Sequence, residues 1–482
     1  MSAATTETWP DYRAVWRWHF YAGLFCIPFV IVLSITGAIY LFKPQVEAWM
    51  DQDYDNLAIE GAVQPVSAQV KAALDAFPES TPSSYELPPV ESGAGRVLIR
   101  LKDGEQLRVY VHPQSLKVLH SLPDADRLMR WMFRLHGELL MGNRGSNIVE
   151  LASSWAAIML VNGIYLWWPR QTKGWGGVLY PRLRMGSGIL WRDLHSVTGI
   201  WITAFALFLL ATGLPWAKFW GSYFKEIRHL TGTAVAQQDW TVGSEPRKAA
   251  LEGSAEDGAA KAGSRGSSSS GDHSDHGGGQ RRGGSGRSGR GRGVMPKDMT
   301  GFDSVYATVK PLGLEYPVSI SPPSKADSDK WTAKSNTPNR PLRVNLVLSG
   351  KTGEITSRED FKDRHVVDQV VGYGIAAHEG QLFGWFNQLL GLLTAIGLVL
   401  VSISGVVMWW RRRDVGVLGA PKVLLNPRVS WGLISLIVLF GIYLPLFGAS
   451  LLLVLLCEFA VLKRIPKVRD WLGLQSPVTN LA

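Results

Sequence analysis

Four of the ten histidines in this chain stand at matched distances from glycines. The interval from His19 to Gly37 equals that from His195 to Gly213, and the interval from His136 to Gly163 equals that from His378 to Gly405. A neutral imidazole is a good axial ligand for haem iron, and its other ring nitrogen can be held by a backbone or side-chain acceptor. An iron bound between helices takes one imidazole from each side, so four equivalent histidines predict two axial pairs and two b-type haems. The haem-iron ligands expected are therefore His19, His195, His136 and His378; no residue is assigned a catalytic role. Only Cys26 and Cys457 are present, which leaves no disulfide framework, thiolate metal site or c-type attachment sequence. No Gly-rich dinucleotide fingerprint follows a strand, so no NADPH or flavin site is read in the chain.

Helices must carry these histidines, because the 46% of apolar residues and the 20 tryptophans gather into long uncharged runs. About 20 apolar residues let a helix cross the hydrocarbon with every backbone group satisfied internally. Four runs qualify: Val15 to Phe42, Ile148 to Trp168, Ile189 to Trp216 and Phe386 to Trp410. A fifth region, Ser430 to Leu462, is broken from Leu444 to Gly448 and predicts a helical hairpin, for six spans with four as the core. The first run outlasts a signal-peptide core and has no small-residue cleavage site, so it is expected to stay as an anchor.

Lys and Arg in short loops set the expected orientation. Arg13 and Arg17, then Arg170, Lys173, Arg182 and Arg184, then Arg411 to Arg413, and finally Lys463, Arg464 and Lys467 place both termini in the cytoplasm. The expected order is then a tail and first span (1–42), an outer module (43–146), the second span (147–168) and a cytoplasmic loop (169–188). The third span (189–216), a second outer module (217–384), the fourth span (385–410), a loop (411–428), the hairpin (429–463) and a cytoplasmic tail (464–482) follow. The formal charge of +10 reports this topology and one low-complexity stretch, not nucleic acid.

The chain thus reads as a tandem repeat of span, outer domain, histidine segment and span. His19 and His195 fall near the cytoplasmic face, His136 and His378 near the outer one. The stretch from His136 to Gly163 corresponds to roughly 40 Å if helical throughout, so the pairs are expected at opposite faces. Each outer module opens with a helical pattern, Val66 to Phe77 and Phe302 to Lys310, and continues in alternating strands around Gly-containing turns such as Asp103-Gly104 and Ser349-Gly350-Lys351. Two small α+β modules are expected. Residues 234–294, rich in Gly, Ser and Arg, are expected to be a disordered insertion in the second.

Other candidates carry plainer readings. Arg13, Arg17 and Arg192 inside, and Arg130, Arg134 and Arg144 outside, suit haem propionates, but positive-inside bias and snorkelling explain them equally. Trp167-Trp168 and Trp409-Trp410 read as interfacial anchors. His273 and His276 sit in the Gly-rich tract, where little preorganisation favours solvated linker over metal site. His112, His120 and His365 stay unassigned.

Trp18-His19 with Gly23 and Thr36-Gly37, Leu135-His136-Gly137, Leu194-His195 with Thr198-Gly199, His378-Glu379-Gly380 and the module ending Val109-Tyr110-Val111-His112-Pro113 together resemble the PepSY-associated transmembrane proteins. That family includes iron-regulated inner-membrane proteins and ferric-siderophore reductases, and the resemblance covers nearly the whole chain. It implies an α-helical polytopic protein of the bacterial inner membrane with a four-helix haem core and two PepSY-like periplasmic modules. It also implies two b-type haems on the four histidines, passing electrons from the cytoplasmic side or the quinone pool to a ferric chelate such as a ferric siderophore. The Gly/Ser/Arg insertion departs from the usual pattern, and the carboxyl end lacks the flavin or flavodoxin domain of some relatives, so a quinol or separate reductase is the implied donor. A PepSY-based peptide-binding, protease-regulating or envelope-sensing protein without redox activity is the competing class. A transporter ranks below both, since the copies share one orientation and no broken helices meet at mid-membrane.

Overall fold

The computed structural model describes residues 12–169, 174–233, 295–421 and 431–474. The 234–294 insertion with His273 and His276, the first eleven residues, Arg170 and Lys173 lie outside the described residues. In chain order, helix α1 (Tyr12–Leu41) runs into α2 (Lys43–Met50) and the single turn α3 (Gln52–Asp55). After α4 (Val66–Ala76) come strands β1 (Thr81–Glu86), β2 (Gly95–Arg100), β3 (Gln106–Val111) and β4 (Val118–Pro123). Helices α5 (Leu128–Glu138), α6 (Asn143–Trp167), α7 (Ser187–Gly213) and α8 (Lys218–Leu230) follow. Then α9 (Gly301–Val309) precedes β5 (Val318–Ser321), β6 (Lys330–Ser335), β7 (Val344–Ser349) and β8 (Ile355–Asp360), and α10 (Val366–His378) leads to α11 (Gly384–Arg412). The chain closes with α12 (Trp431–Tyr443), α13 (Pro445–Cys457) and α14 (Pro466–Leu472).

Helices α1, α6, α7 and α11 are each long and apolar enough to cross a membrane. Each packs on two of the others, α1 and α7 being bridged on one side by α6 and on the other by α11. Their outward faces expose large apolar side chains, with Trp201 at 62%, Ile396 at 56% and Ile35 at 50%. Such surface is stable against lipid and costly against water. The helix ends near the sheet and the opposite ends define two levels, called here sheet-proximal and sheet-distal.

The strands of both outer segments form one antiparallel sheet in the order β4-β3-β2-β1-β5-β6-β7-β8. The two four-stranded meanders meet at their first strands, Tyr85 pairing with Ile320 and Glu86 with Ser319. The sequence suggests two modules; joining β1 to β5 covers two edges that would otherwise expose unpaired backbone groups. Period-two alternation sends Val97, Ile99, Val109, Ile320, Ala333, Leu346 and Leu348 to one face, where α4 and α9 close a single core with Val70, Phe302 and Val305. The α4 backbone at Ser67 donates to Asp303 of α9, at 2.9 Å.

The opposite face of the first meander is charged and buried. Arg96, 1% exposed, donates to Asp55 at 2.8 Å and lies 3.7 Å from Asp51 and 3.9 Å from Glu86; Arg108 donates to Glu86 at 3.0 Å. Asp51 caps the α1–α2 extension and Asp55 belongs to α3, so this network fastens the sheet to the continuation of the first long helix. Burial alone would raise the Glu86 carboxyl, yet the Arg108 and Arg96 guanidiniums hold it below the ordinary glutamate value.

The expected hairpin is present, with Leu444 extended before Pro445 as the turn. Gly441 and Gly448 come together there; a Cβ on Gly448 would fall 2.9 Å from the Gly441 carbonyl oxygen, so a glycine at 448 is what allows the approach. Among the described residues α12 has 13 residues, about 20 Å, while the stretch Pro445–Leu462 is long and apolar enough to cross a membrane. Leu444 and Phe447 pack on Leu214 and Trp220, while the indoles of Trp220 and Trp155 donate to the Tyr443 carbonyl and the Ser450 hydroxyl, both at 2.9 Å.

Candidate functional site: two histidine pairs between four helices

The four repeat histidines come together as two pairs. At the sheet-distal level His19 of α1 and His195 of α7 have ring centroids 6.1 Å apart with planes at 89°; at the sheet-proximal level His136 of α5 and His378 of α10 are 6.3 Å apart at 81°. Each ring rests on its counterpart glycine in a neighbouring helix. His19 Cε1 would meet a Cβ on Gly163 at 3.4 Å, His195 one on Gly405 at 3.4 Å, His378 one on Gly213 at 3.5 Å, and His136 one on Gly37 at 3.1 Å. A glycine opens the groove beside the helix, and the ring fills it next to the polar group of the preceding turn.

That polar group orients the ring. His19 Nδ1 lies 3.0 Å from the Met159 carbonyl, four residues before Gly163, and His195 Nδ1 2.9 Å from the Val401 carbonyl, four before Gly405. At the sheet-proximal level the Thr36 hydroxyl is 3.1 Å from His136 Nδ1 and the Thr212 hydroxyl 2.9 Å from His378 Nδ1. In every case Nδ1 is the engaged nitrogen, which leaves Nε2 for a ligand role. Burial, reinforced for His136 by His378, pushes both sheet-proximal imidazoles down to about 4, so they are neutral at ordinary pH.

Local chain chemistry places the sheet-proximal rings. Helix α5 ends just after His136 in a left-handed break, with φ of 47° at Leu139, 58° at Leu140 and 61° at Gly142, before α6 begins. Gly145 is obligatory there, since a Cβ would fall 1.6 Å from the Glu138 carbonyl oxygen. His136 therefore does not continue into α6, so the roughly 40 Å that a continuous helix from His136 to Gly163 would give does not measure the separation of the pairs. The separation of the levels is set along α1, where the run from His19 to Gly37 gives roughly 27 Å, still close to a hydrocarbon thickness. His136 and His378 border a cavity of about 250 Å³ with Gly37, Gly213, Phe133 and Trp216.

The other candidates fall in different roles. Arg192 donates to Asp193 at 2.7 Å, Arg17 donates to the Pro421 carbonyl at 2.8 Å and lies over Tyr21, and Arg130 lies 5.2 Å from the Phe133 ring centre. Arg144 is exposed, and Arg134 half-buried. Trp167 and Trp409 donate to the Val178 and Leu418 carbonyls, while Trp168 and Trp410 are exposed. His120 stacks on Tyr54 at 5.5 Å, His112 accepts backbone N–H groups of its own turn, and His365 caps α10. The sequence marks Thr36 beside its repeat glycine without showing that it meets a ring, and it gives no sign of the Met159 and Val401 carbonyls beyond their place four residues before Gly163 and Gly405.

A polytopic bundle of apolar helices joined to a separate antiparallel sheet, with histidines paired between the helices, is the class these features define. Residues 16–412 match the family described as the PepSY-associated TM region, and the chain belongs to that family. It is a membrane protein. No curated protein matches the chain.

Proposed function

We propose that the protein is a di-haem b-type electron-transfer protein of a bacterial inner membrane. It takes electrons from the cytoplasmic side or the quinone pool and reduces a ferric chelate, such as a ferric siderophore, in the periplasm. The observation that carries the reading is the spacing of the pairs. Two imidazoles that shared one metal ion through Nε2 would have ring centroids about 6.3 Å apart, from two metal–nitrogen bonds of about 2 Å each plus the distance from each Nε2 to its ring centre. The two pairs stand at 6.1 and 6.3 Å. Two protein ligands alone would not complete a metal's coordination, and a haem would supply the remaining nitrogens, while the glycine beside each imidazole leaves room for that ring against the neighbouring helix. His19 with His195, and His136 with His378, would hold the groups, which supply one-electron redox chemistry when bound. The chain's own residues orient the imidazoles through Met159, Val401, Thr36 and Thr212. The surrounding apolar helices exclude water.

The basic loops with Arg182, Arg184 and Arg411 to Arg413 at the sheet-distal ends support an orientation with the sheet in the periplasm. The test is a visible spectrum of detergent-purified protein before and after dithionite, with a pyridine haemochrome count and with reoxidation by a ferric chelate. About two b-type haems per chain, reoxidised by the chelate, are expected. A haem-free protein sinks the reading and leaves the peptide-sensing alternative in front.

Thr36→Val and Thr212→Val remove the hydroxyl beside Nδ1 while keeping side-chain volume. Loss of such an outer partner costs about 10–100-fold in metal-site affinity. Haem titration of the apoprotein is expected to show that loss at the sheet-proximal site and none at the sheet-distal one.

A further inference from the structure

The sheet-proximal histidines differ from the distal ones in sitting on separate short helices, α5 and α10, which something must dock. Helix α10 carries Asp368 ten residues before His378, and α8, which follows α7 after the turn Leu214–Trp216, carries Arg228. Arg228 donates to both Asp368 oxygens, at 2.9 and 2.8 Å, with the two side chains 2% and 5% exposed. In the first copy Arg127 stands nine residues before His136, at the entry to α5, and Asp51 terminates the α1–α2 extension. Arg127 donates to Asp51 at 3.3 Å, both side chains being 12% exposed, and to the Tyr110 hydroxyl at 2.9 Å.

The positions correspond. The interval from Gly37 to Asp51 is one residue shorter than that from Gly213 to Arg228. The signs are opposite: in one copy the histidine helix brings the cation, in the other the anion. Thr36-Gly37 and Thr212-Gly213 offer the same landing site to either imidazole, so ring contacts alone do not tell the two helices apart. The ion pairs do, because the exchanged contacts would set Arg127 against Arg228 and Asp51 against Asp368. Like charges in a dry interface are strongly disfavoured.

From this we infer that Arg228 and Asp368 are positioning residues for His378, and Asp51 and Arg127 for His136, each pair docking its histidine helix on its own span. The inference builds on the histidine-pair reading, but the docking has a readout that needs no haem. A Cβ on Gly374 of α10 would lie 3.6 Å from the Thr212 Cβ, within the range of a disulfide. Full-length protein carrying Thr212→Cys and Gly374→Cys, with Cys26→Ser and Cys457→Ser, therefore reports the docking of α10 as a rate of disulfide formation in detergent.

Asp368→Arg is expected to slow that cross-link at least tenfold and Asp368→Asn by a smaller factor, whereas the swap Arg228→Asp with Asp368→Arg restores it to within a few-fold. In the haem-loaded protein with Thr212 and Gly374 intact, Asp368→Arg removes the low-spin ferric electron-paramagnetic signal of the sheet-proximal site. The swap brings that signal back with unchanged anisotropy, and the sheet-distal signal persists throughout as the control for folding. Cross-linking at the parent rate in Asp368→Arg, or no recovery in the swap, overturns the inference. A wild type without haem fails the reading of the site alone and leaves the cross-link to decide the docking.

Discussion

His136→Ala is expected to leave a protein that binds about one b-type haem in place of about two, with His195→Ala doing the same at the other level. In the proposed site each imidazole would be one of two protein ligands of its pair, so a missing ring would leave the haem held from one side. The levels are separated by the length of α1 between His19 and Gly37, and none of the distal contacts, to Met159, Gly163, Val401 or Gly405, involves α5 or α10. The two losses should therefore be independent, and His136→Ala with His195→Ala should be haem-free. If the proposed path runs through both sites, either single substitution should interrupt it: dithionite should reduce the remaining haem while transfer across a proteoliposome membrane to a ferric chelate stops. Added imidazole should partly restore binding to His136→Ala, because the vacated space opens on the existing cavity. Two haems in His136→Ala would exclude that residue as a ligand.

Arg96→Ala should destabilise the junction of sheet and helices by about 3–5 kcal/mol, the usual cost of stripping the partner from a buried charge. Arg96 is the shared cation of Asp55, Asp51 and Glu86, and its removal leaves these carboxylates facing one another with Arg108 and Arg127 as remaining compensation. Tyr316, which donates to Glu86 at 2.7 Å across the β1–β5 seam, loses its setting as well. Protease digestion with thermal denaturation should show the sheet released early, with haem at the distal level retained. The pH dependence has a definite sign. Glu86 is held below the ordinary glutamate value, so its stabilisation is complete above about pH 4.3, the unfolded-chain value, and fades as pH falls through the lower folded value. Unchanged melting in Arg96→Ala at neutral pH would show that Arg96 is not what fastens the sheet to the helices.

Much of the helical framework is legible in the sequence because lipid imposes a simple rule: long apolar runs must be helices, and the runs at 15–42, 148–168, 189–216 and 386–410 fall within helices whose ends differ by a few residues. The hairpins at Asp103-Gly104 and Ser349-Gly350-Lys351 are legible for an equally local reason, alternation around turn residues. The union of β1 with β5 is not, since nothing in either strand names a partner that lies in the other half of the repeat. The left-handed geometry of the turn between α5 and α6 is not legible, because Leu139 and Leu140 adopt backbone that leucine does not advertise.

By itself, then, the sequence determined a histidine and glycine periodicity, the helices that carry it, and the equivalence of its two copies, all properties of spacing along one chain. Tertiary structure alone decided which histidine meets which glycine, which nitrogen is engaged, and that both rings of each pair stand about 6 Å apart. It also decided the buried pairs Arg228–Asp368 and Arg127–Asp51, in which a charge ordinary in sequence acquires meaning from a partner 140 or 76 residues away. The physical reason is that spacing is a one-dimensional property, whereas coordination and ion pairing depend on distances that exist only once helices from different parts of the chain have packed.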